Sequence, residues 1–316
     1  MAENPGIRRL AVRNLVLVKS ATWSKPAWRA FLSRLVTLEL GLWADQPAVD
    51  RGAYQSFQYH QLRHFHGPLS SEPAALRRFA LLAALSSYRR DCPMHGNEND
   101  AGAAPLALPP PPYLWTAPGD CMPRLSELRV ENCVVDAGLA AFIVERGRCS
   151  LRTVELVDCV ALVDDMNAVV EFSWEAFFDA TLAALTGGGG GDPQSEIVAL
   201  KEFVLRRTRP VALIDEGRWR GTGTGHHSLL EAEEDERRRA GRVRDRVRGL
   251  RLQGGGGRAF NEAKVLFPYV ALPGMGPSVE QEGFNLLRAE DGGDAAACRR
   301  LMEAVRANRD RRVAGQ

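Results

Sequence analysis

Two segments of the chain carry the same apolar pattern at an offset of 26 residues, and this repeat constrains the fold more than any other feature. LSELRVENCVV begins at Leu125, and LRTVELVDCVA begins at Leu151. Each segment holds three aliphatic residues followed by a cysteine: Leu125, Leu128, Val130 and Cys133 in the first, and Leu151, Val154, Leu156 and Cys159 in the second. Two full matches at one offset indicate a repeated structural unit.

The spacing is typical of leucine-rich repeats, which have periods of roughly 20 to 29 residues and an L-x-x-L-x-L-x-x-N/C pattern. In such a unit the L-x-L pair points inward from a short strand. The segment Asp136 to Arg148 follows the first strand, with Asp136 at a capping position and Leu139, Phe142 and Ile143 at helical spacing. SWEAFFDATLAAL, from Ser173, follows the second strand and is also amphipathic. The repeated unit is therefore predicted to be a strand followed by a helix.

Weaker copies of the strand pattern lie on both sides of the two strong ones. They are Ile7, Leu10 and Val12; Leu35, Leu38 and Leu40; Leu76, Phe79 and Leu81; and Leu200, Phe203 and Leu205. The helix between the first two copies would be KPAWRAFLSRL. The segment at Leu76 is equally compatible with a helix, so the repeat count between residues 41 and 124 stays open. Six strand candidates result.

These units predict an α/β fold, a curved leucine-rich-repeat-like solenoid with parallel strands on its concave face and helices on its convex face. Residues 1–210 would form this domain, with a low-complexity loop at 89–112 and a glycine run after the second helix as insertions. Residues 211–316 would form an extension with a charged helix at 228–250. Its KVLFPYVAL strand and DAAACRRLMEAVRANR helix, with Asp294 as a possible N-cap, would cap the open end.

The charge balance argues against a nucleic-acid or membrane partner. The chain has 41 basic and 39 acidic residues, a net charge of +2. No stretch approaches the roughly 20 apolar residues of a membrane span, and no signal peptide is evident. The six cysteines form no CxxC pair, so we expect reduced thiols and a cytoplasmic or nuclear location. Cys133 and Cys159 are interpreted as buried packing residues rather than a redox pair.

One cluster of histidines is the main indication of a metal site or of enzyme activity in this sequence. His60, His64 and His66 lie in HQLRHFH, and two histidines four apart on a helix can share a metal ion. The cluster lacks the glutamate of a zincin motif, and no nearby residue completes a ligand set. No Walker or G-x-S-x-G motif is present. We therefore predict no enzyme activity, no catalytic residue, no metal and no cofactor, with a metal-dependent enzyme as the alternative.

The strand positions that alternate outward from the core are the candidate partner-binding face. In the two strong repeats these positions are Glu127, Arg129, Glu131, Thr153, Glu155 and Val157. Their mixed charges suggest a polar protein surface as the partner. The prediction is a non-catalytic protein–protein interaction module.

The two strong repeats and their helices resemble the C-terminal region of fungal F-box-type proteins with degenerate leucine-rich repeats. The resemblance rests on LSELRVENCVVDAGLAAFI, LRTVELVDCVAL and the helix at Ser173, and it covers about half of the chain with its weaker parts. It implies the substrate-recognition part of a ubiquitin ligase receptor, with a Skp-type adaptor and a cullin as partners. The F-box motif itself is not found, since the IRRLAVRN strand begins within the first ten residues. A repeat scaffold unrelated to ubiquitination, or a truncated copy, remains the alternative.

Overall fold

The computed structural model describes residues 6–16, 21–43, 75–83, 122–164, 169–185, 200–207, 267–271, 279–280, 285, 288–289 and 291–314. Among the described helices, none combines the length and the apolar character that a bilayer span requires. The predicted loop at 89–112 and the predicted charged helix at 228–250 lie outside the described residues.

The main element is a parallel sheet of six strands whose neighbours in space follow one another along the chain. Its strands are β1 (Arg9–Val16), β2 (Thr37–Trp43), β3 (Arg78–Ala83), β4 (Glu127–Glu131), β5 (Thr153–Val157) and, as the sixth strand of this sheet, β8 (Glu202–Arg206). All six predicted strand candidates are present, and the α/β class is confirmed. The segment at Leu76, which was equally compatible with a helix, leads into strand β3.

The equivalent repeat positions lie directly beside each other in the sheet. One row across the strands contains Leu10, Leu38, Phe79, Leu128, Val154 and Phe203, and the next contains Val12, Leu40, Leu81, Val130, Leu156 and Leu205. Backbone hydrogen bonds between neighbouring strands begin one residue before the strands themselves. The Ser126 N–H donates to the Arg77 carbonyl at 2.8 Å, and the Lys201 N–H donates to the Arg152 carbonyl at 2.8 Å. The apolar rows from β2 to β5 are fully buried.

Helices cover the side of the sheet on which these rows lie. Helix α1 (Pro26–Ser33) connects β1 with β2 and begins with a proline, whose fixed φ suits the first helical position. Helix α2 (Ala137–Cys149) follows β4, and helix α3 (Trp174–Leu185) lies between β5 and β8 in the chain. Buried residues of all three helices belong to one apolar cluster with the strand rows.

The predicted cap of α2 is confirmed. Asp136 has extended backbone geometry, and its Oδ1 accepts a hydrogen bond from the Leu139 N–H at 2.7 Å. This bond satisfies one of the N–H groups that have no partner within a first helical turn. Burial raises the pKa of the Asp136 carboxyl above its usual value.

A smaller mixed sheet adds a feature that the repeat pattern does not predict. Its strands are β6 (Ala161–Asp164), β7 (Val169–Phe172), β9 (Tyr269–Ala271) and β10 (Val279–Glu280), in the order β10-β9-β6-β7. Strand β9, within the predicted KVLFPYVAL strand, pairs in parallel with β6. Residues far apart in sequence therefore share this sheet.

The last described helix, α4 (Gly293–Ala314), contains the predicted DAAACRRLMEAVRANR helix. The predicted apolar stripe of Leu301, Met302 and Val305 is buried in the same core as the strand rows. The N-cap prediction for Asp294 is wrong, because α4 already begins at Gly293. Asp294 is buried and binds another helix, as described below.

Replacing Leu128 with alanine tests the importance of the buried rows. Leu128 is 1% exposed at the middle of β4. We expect Leu128→Ala to lower the free energy of unfolding by about 3 kcal/mol, since the substitution removes buried methyl groups and leaves a cavity. Urea unfolding followed by circular dichroism measures this loss. Glu202→Ala, at an exposed position of β8, should change the value by less than about 0.5 kcal/mol.

Candidate partner-binding face

The opposite side of the six-stranded sheet is polar, because side chains alternate along each strand and the apolar rows point toward the helices. We call this side the polar face. It consists of Arg9, Ala11, Arg13, Thr37, Glu39, Gly41, Arg78, Ala80, Leu82, Glu127, Arg129, Glu131, Thr153, Glu155, Glu202, Val204 and Arg206, all of which are partly or fully exposed. None of the described helices or strands packs over it.

Five of the six predicted contact residues lie on the polar face. Glu127 is beside Thr153, and Arg129 is beside Glu155, in neighbouring strands. Glu131 lies at the end of β4 and is also partly exposed. The structure thus brings these five side chains into one continuous patch.

Val157 is the exception, and its prediction as an exposed contact residue is wrong. It is 2% exposed. Val157 ends β5 beside the turn that follows β4, where the Asn132 N–H donates to the Val157 carbonyl at 2.9 Å. Val157 stands in register between Glu131 of β4 and Arg206 of β8, so an outward position in the strand does not by itself leave a side chain exposed.

Ion pairs link neighbouring strands across the polar face. The Arg78 Nε lies 2.8 Å from the Glu127 Oε2. Arg129 contacts Glu131 at 2.8 Å and Glu155 at 3.4 Å. The hydrogen bond with Glu131 raises the pKa of the Arg129 guanidinium above its usual value. Glu131 and Glu155 thereby hold one guanidinium between two strands.

Two further pairs extend this network to the edges of the sheet. The Arg206 Nε on β8 lies 3.0 Å from the Glu155 Oε1, so Glu155 is placed between two arginines. The Arg13 Nε on β1 lies 4.0 Å from the Glu39 Oε1. The charged side chains of the polar face therefore hold one another in position. Fixed side-chain positions are a prerequisite for specific recognition.

The strand ends show why the repeat pattern contains Asn or Asp followed by Cys. Asn132 and Asp158, at equivalent positions, have φ values of +54° and +49°, in the left-handed region that Asn and Asp tolerate best among non-glycine residues. The cysteine that follows each of them points into the core. These turns let the chain leave the sheet at the same point in both repeats.

Cys133 and Cys159 are both buried thiols, which agrees with their interpretation as packing residues. The Cys133 Sγ donates to the Glu131 carbonyl, and the Cys159 Sγ is within 3.5 Å of the Val130 carbonyl. Burial raises the pKa of the Cys159 thiol to about 12. A thiol that stays protonated at neutral pH is a poor nucleophile.

A buried polar cluster, which the sequence pattern did not reveal, lies at the beginning of α3. The free N–H groups of its first turn each have an acceptor: Trp174 donates to the Tyr269 hydroxyl at 3.2 Å, Glu175 donates to the Asp294 Oδ1 at 3.0 Å, and Ala176 donates to the Ser173 Oγ at 3.0 Å. Ser173 therefore acts as a side-chain cap of α3. Two of the three acceptors come from the C-terminal segment.

Asp294 is the centre of this cluster. It is 2% exposed, and its carboxylate accepts a hydrogen bond from the Tyr269 hydroxyl at 2.8 Å and contacts the Arg288 guanidinium at 2.6 Å. Burial, together with the neighbouring Asp294 carboxylate, raises the pKa of the Tyr269 hydroxyl above its usual value. Since the groups of the cluster bind one another across β9, α4 and α3, we assign the cluster a structural role: it joins β9 and α4 to α3.

The described residues contain no group of three or more histidine, cysteine, aspartate or glutamate side chains arranged to hold a metal ion. His60, His64 and His66, on which the alternative of a metal-dependent enzyme rests, lie outside the described residues.

Comparison with known proteins identifies no relative of this chain. No protein-family model matches the sequence, and the searches of curated proteins and of solved structures find no significant match. The geometry of the chain itself is therefore the basis for the functional argument that follows.

The cluster at α3 makes a prediction about stability. We expect Asp294→Ala to lower the free energy of unfolding by about 3 kcal/mol, because Arg288, Tyr269 and the Glu175 N–H all lose a buried acceptor. Thermal and urea unfolding measure the loss. Asp310→Ala, which removes an exposed carboxylate from the same helix, should cost less than about 0.5 kcal/mol. Equal effects of the two substitutions would contradict the central role of Asp294.

The raised pKa of Cys159 predicts a loss of stability at alkaline pH. The unfolded thiol ionises near pH 9, whereas the folded thiol resists ionisation until about pH 12, so ionisation between these values favours the unfolded chain. The stability that comes from keeping this thiol protonated in the folded chain is fully present below pH 9. Between pH 9 and 12 the free energy of unfolding should fall by about 1.4 kcal/mol per pH unit from this group.

Urea unfolding at a series of pH values checks this slope in the wild type and in Cys159→Ala. The variant should lack the contribution of one thiol, and its slope should be correspondingly shallower. Cys149→Ala is the matched control, because Cys149 is exposed at the end of α2. A Cys159→Ala slope identical to that of the wild type would show that the thiol ionises equally in both states.

Proposed function

We propose that this chain is a non-catalytic protein–protein interaction module, a leucine-rich-repeat-like solenoid whose polar face binds a partner. In this arrangement the strands line the concave side and the helices lie on the convex side. Extended binding surfaces of this kind are the usual reason for stacked repeats.

One observation carries the proposal. The six-stranded sheet is covered by described helices on its apolar side, whereas its polar face carries charges held in place by ion pairs and no described element covers it. Parallel sheets in doubly wound α/β folds have helices on both faces, whereas stacked-repeat proteins leave one face without helices as an extended binding surface. The side that no described element covers carries ordered arginines, which are typical of interface residues.

The register supports the repeat interpretation. Equivalent apolar positions stand side by side in all six strands, and the strands follow one another in space in chain order. The left-handed turn residues Asn132 and Asp158 add a second equivalence between neighbouring units. Stacking of like units at like positions is the defining property of a repeat protein.

A role in ubiquitination is a more specific form of the proposal, and it is supported by the resemblance of the two strong repeats to fungal F-box-type proteins. In that role the polar face would select the substrate, and the chain would assemble with a Skp-type adaptor and a cullin. A scaffold role outside the ubiquitin system needs the same face without these two partners. Affinity purification of the tagged chain from its native cells, followed by mass spectrometry for the adaptor and the cullin, separates the two roles.

Exchanging the charges of one ion pair tests whether the polar face is the binding surface. The double variant Arg78→Glu/Glu127→Arg retains the ion pair and the net charge but reverses the order of the charges on the face. We expect it to reduce recovery of the co-purifying partner by about tenfold, since misplaced like charges at an interface cost on the order of 1.4 kcal/mol or more. Quantitative mass spectrometry measures the recovery.

The matched control is Asp179→Arg/Arg300→Asp, which exchanges an ion pair of similar length and exposure between α3 and α4. Both double variants should fold with nearly wild-type melting temperatures, because exposed ion pairs contribute little to stability. The control should retain the partner. If the exchange on the polar face also retained every partner, the proposed binding surface would be wrong.

A further inference from the structure

We propose that the polar face recognises an acidic protein segment, through arginines whose guanidinium groups stand above a layer of glutamates. This inference rests on the proposed function and specifies the chemistry of the partner. It is derived from the relative exposure of the two members of each ion pair.

In each of the five ion pairs described on the polar face, the arginine side chain is more exposed than the glutamate. The difference is largest at the two sides of the sheet: Arg206 is 64% exposed against 19% for Glu155, and Arg13 is 83% exposed against 35% for Glu39. A partner approaching the sheet therefore meets guanidinium groups first.

The same order does not hold for ion pairs elsewhere in the described residues. Arg146 of α2 is 6% exposed while its partner Glu145 is 48% exposed, and Arg288 is less exposed than Glu175. Arg207 and Asp158 follow the order of the polar face. The ordering is thus mixed outside the polar face and uniform on it, so it distinguishes this surface from the rest of the described chain.

The glutamates below the arginines have a second effect, which is to hold the guanidinium groups in place. Arg129 is held by Glu131 and Glu155, and Arg206 is held by Glu155 as well. An arginine that is already ordered loses less side-chain entropy on binding. Its remaining N–H groups can form paired hydrogen bonds with an incoming carboxylate, a geometry that lysine cannot provide.

The net charge of the polar face decides between an acidic protein and a polyanion. Five arginines and five glutamates lie on it, so their charges cancel at long range. Nucleic acids bind mainly through phosphate contacts to an excess of positive charge, and such an excess is missing here. Short-range contacts to exposed guanidinium groups favour individual carboxylates placed at the correct spacing.

A low, apolar area on the same face offers an additional contact. Gly41 lies beside Leu82 in the neighbouring strand, and Ala80 lies two residues earlier on β3. All three are partly exposed, and Arg78 and Arg129 flank them. The small residues Gly41 and Ala80, between longer charged ones, leave space for one apolar side chain of the partner. The fitting segment therefore combines carboxylates with an apolar anchor.

Synthetic peptides test this chemistry directly on the purified full-length chain. The sheet is about 24 Å wide, so an extended peptide of about 8 residues spans it. The probe is a fluorescein-labelled peptide with glutamate at every second position and serine and leucine between. Matched peptides carry glutamine or lysine in place of glutamate. We expect the glutamate peptide to bind at least about tenfold more tightly than either matched peptide in fluorescence anisotropy titrations.

Lysine substitutions distinguish guanidinium recognition from simple charge attraction. The triple variant Arg78→Lys/Arg129→Lys/Arg206→Lys retains every charge, yet we expect about a tenfold loss of affinity for the glutamate peptide, because paired hydrogen bonds are lost. The control Arg299→Lys/Arg300→Lys/Arg306→Lys makes the same change on exposed residues of α4 and should bind as the wild type does. Melting temperatures confirm that both variants are folded.

Two outcomes would overturn the inference: equal binding of the glutamate and glutamine peptides, or tighter binding of a single-stranded RNA of about 20 nucleotides than of the glutamate peptide. The charge-exchange experiment keeps this failure separate from failure of the proposed function. If the exchange of Arg78 and Glu127 abolishes recovery of the partner while the glutamate peptide does not bind, the proposed interaction module is supported and the acidic preference is wrong. If the exchange has no effect on any partner, both are wrong.

Discussion

Burial of two rows of apolar side chains beneath the six-stranded sheet is the constraint on which the rest of this structure depends. The rows that include Leu128 and Val130 run through every strand in register. Because the side-chain period of a strand is two residues, turning these rows toward the helices forces the intervening residues onto the other side. The charged polar face is thus a direct consequence of the core.

The same constraint explains how the ends of the repeats are built. A chain that leaves each strand at the same point needs the same sharp turn, which Asn132 and Asp158 provide with left-handed backbone conformations. The following cysteine then packs inward, and burial raises the pKa of the Cys159 thiol. The helices return the chain to the start of the next strand, and Asp136 and Ser173 accept hydrogen bonds from first-turn N–H groups of α2 and α3.

The C-terminal segment contributes to the core in a different way. Apolar packing alone would place α4 beside α3, but the cluster around Asp294 fixes their relative position through directional bonds. A buried carboxylate is costly unless it is fully partnered, and here it has a guanidinium, a phenol and a backbone N–H. On the polar face, by contrast, the charges remain near solvent, where they cost little and remain able to contact a partner.

The sequence by itself determined the strand units, their register, the outward position of Glu127, Arg129, Glu131, Thr153 and Glu155, and the cap at Asp136. These features depend on periodicity and on contacts within a few residues, both of which can be read along the chain. Only the tertiary structure decided the second sheet, the burial of Val157 and the role of Asp294. Strand β9 pairs with β6, and Asp294 lies 119 residues from the Glu175 N–H it binds, so no local pattern specifies these partners. The layering of arginines above glutamates is likewise a property of side chains on adjacent strands, which exists only once the strands are placed side by side.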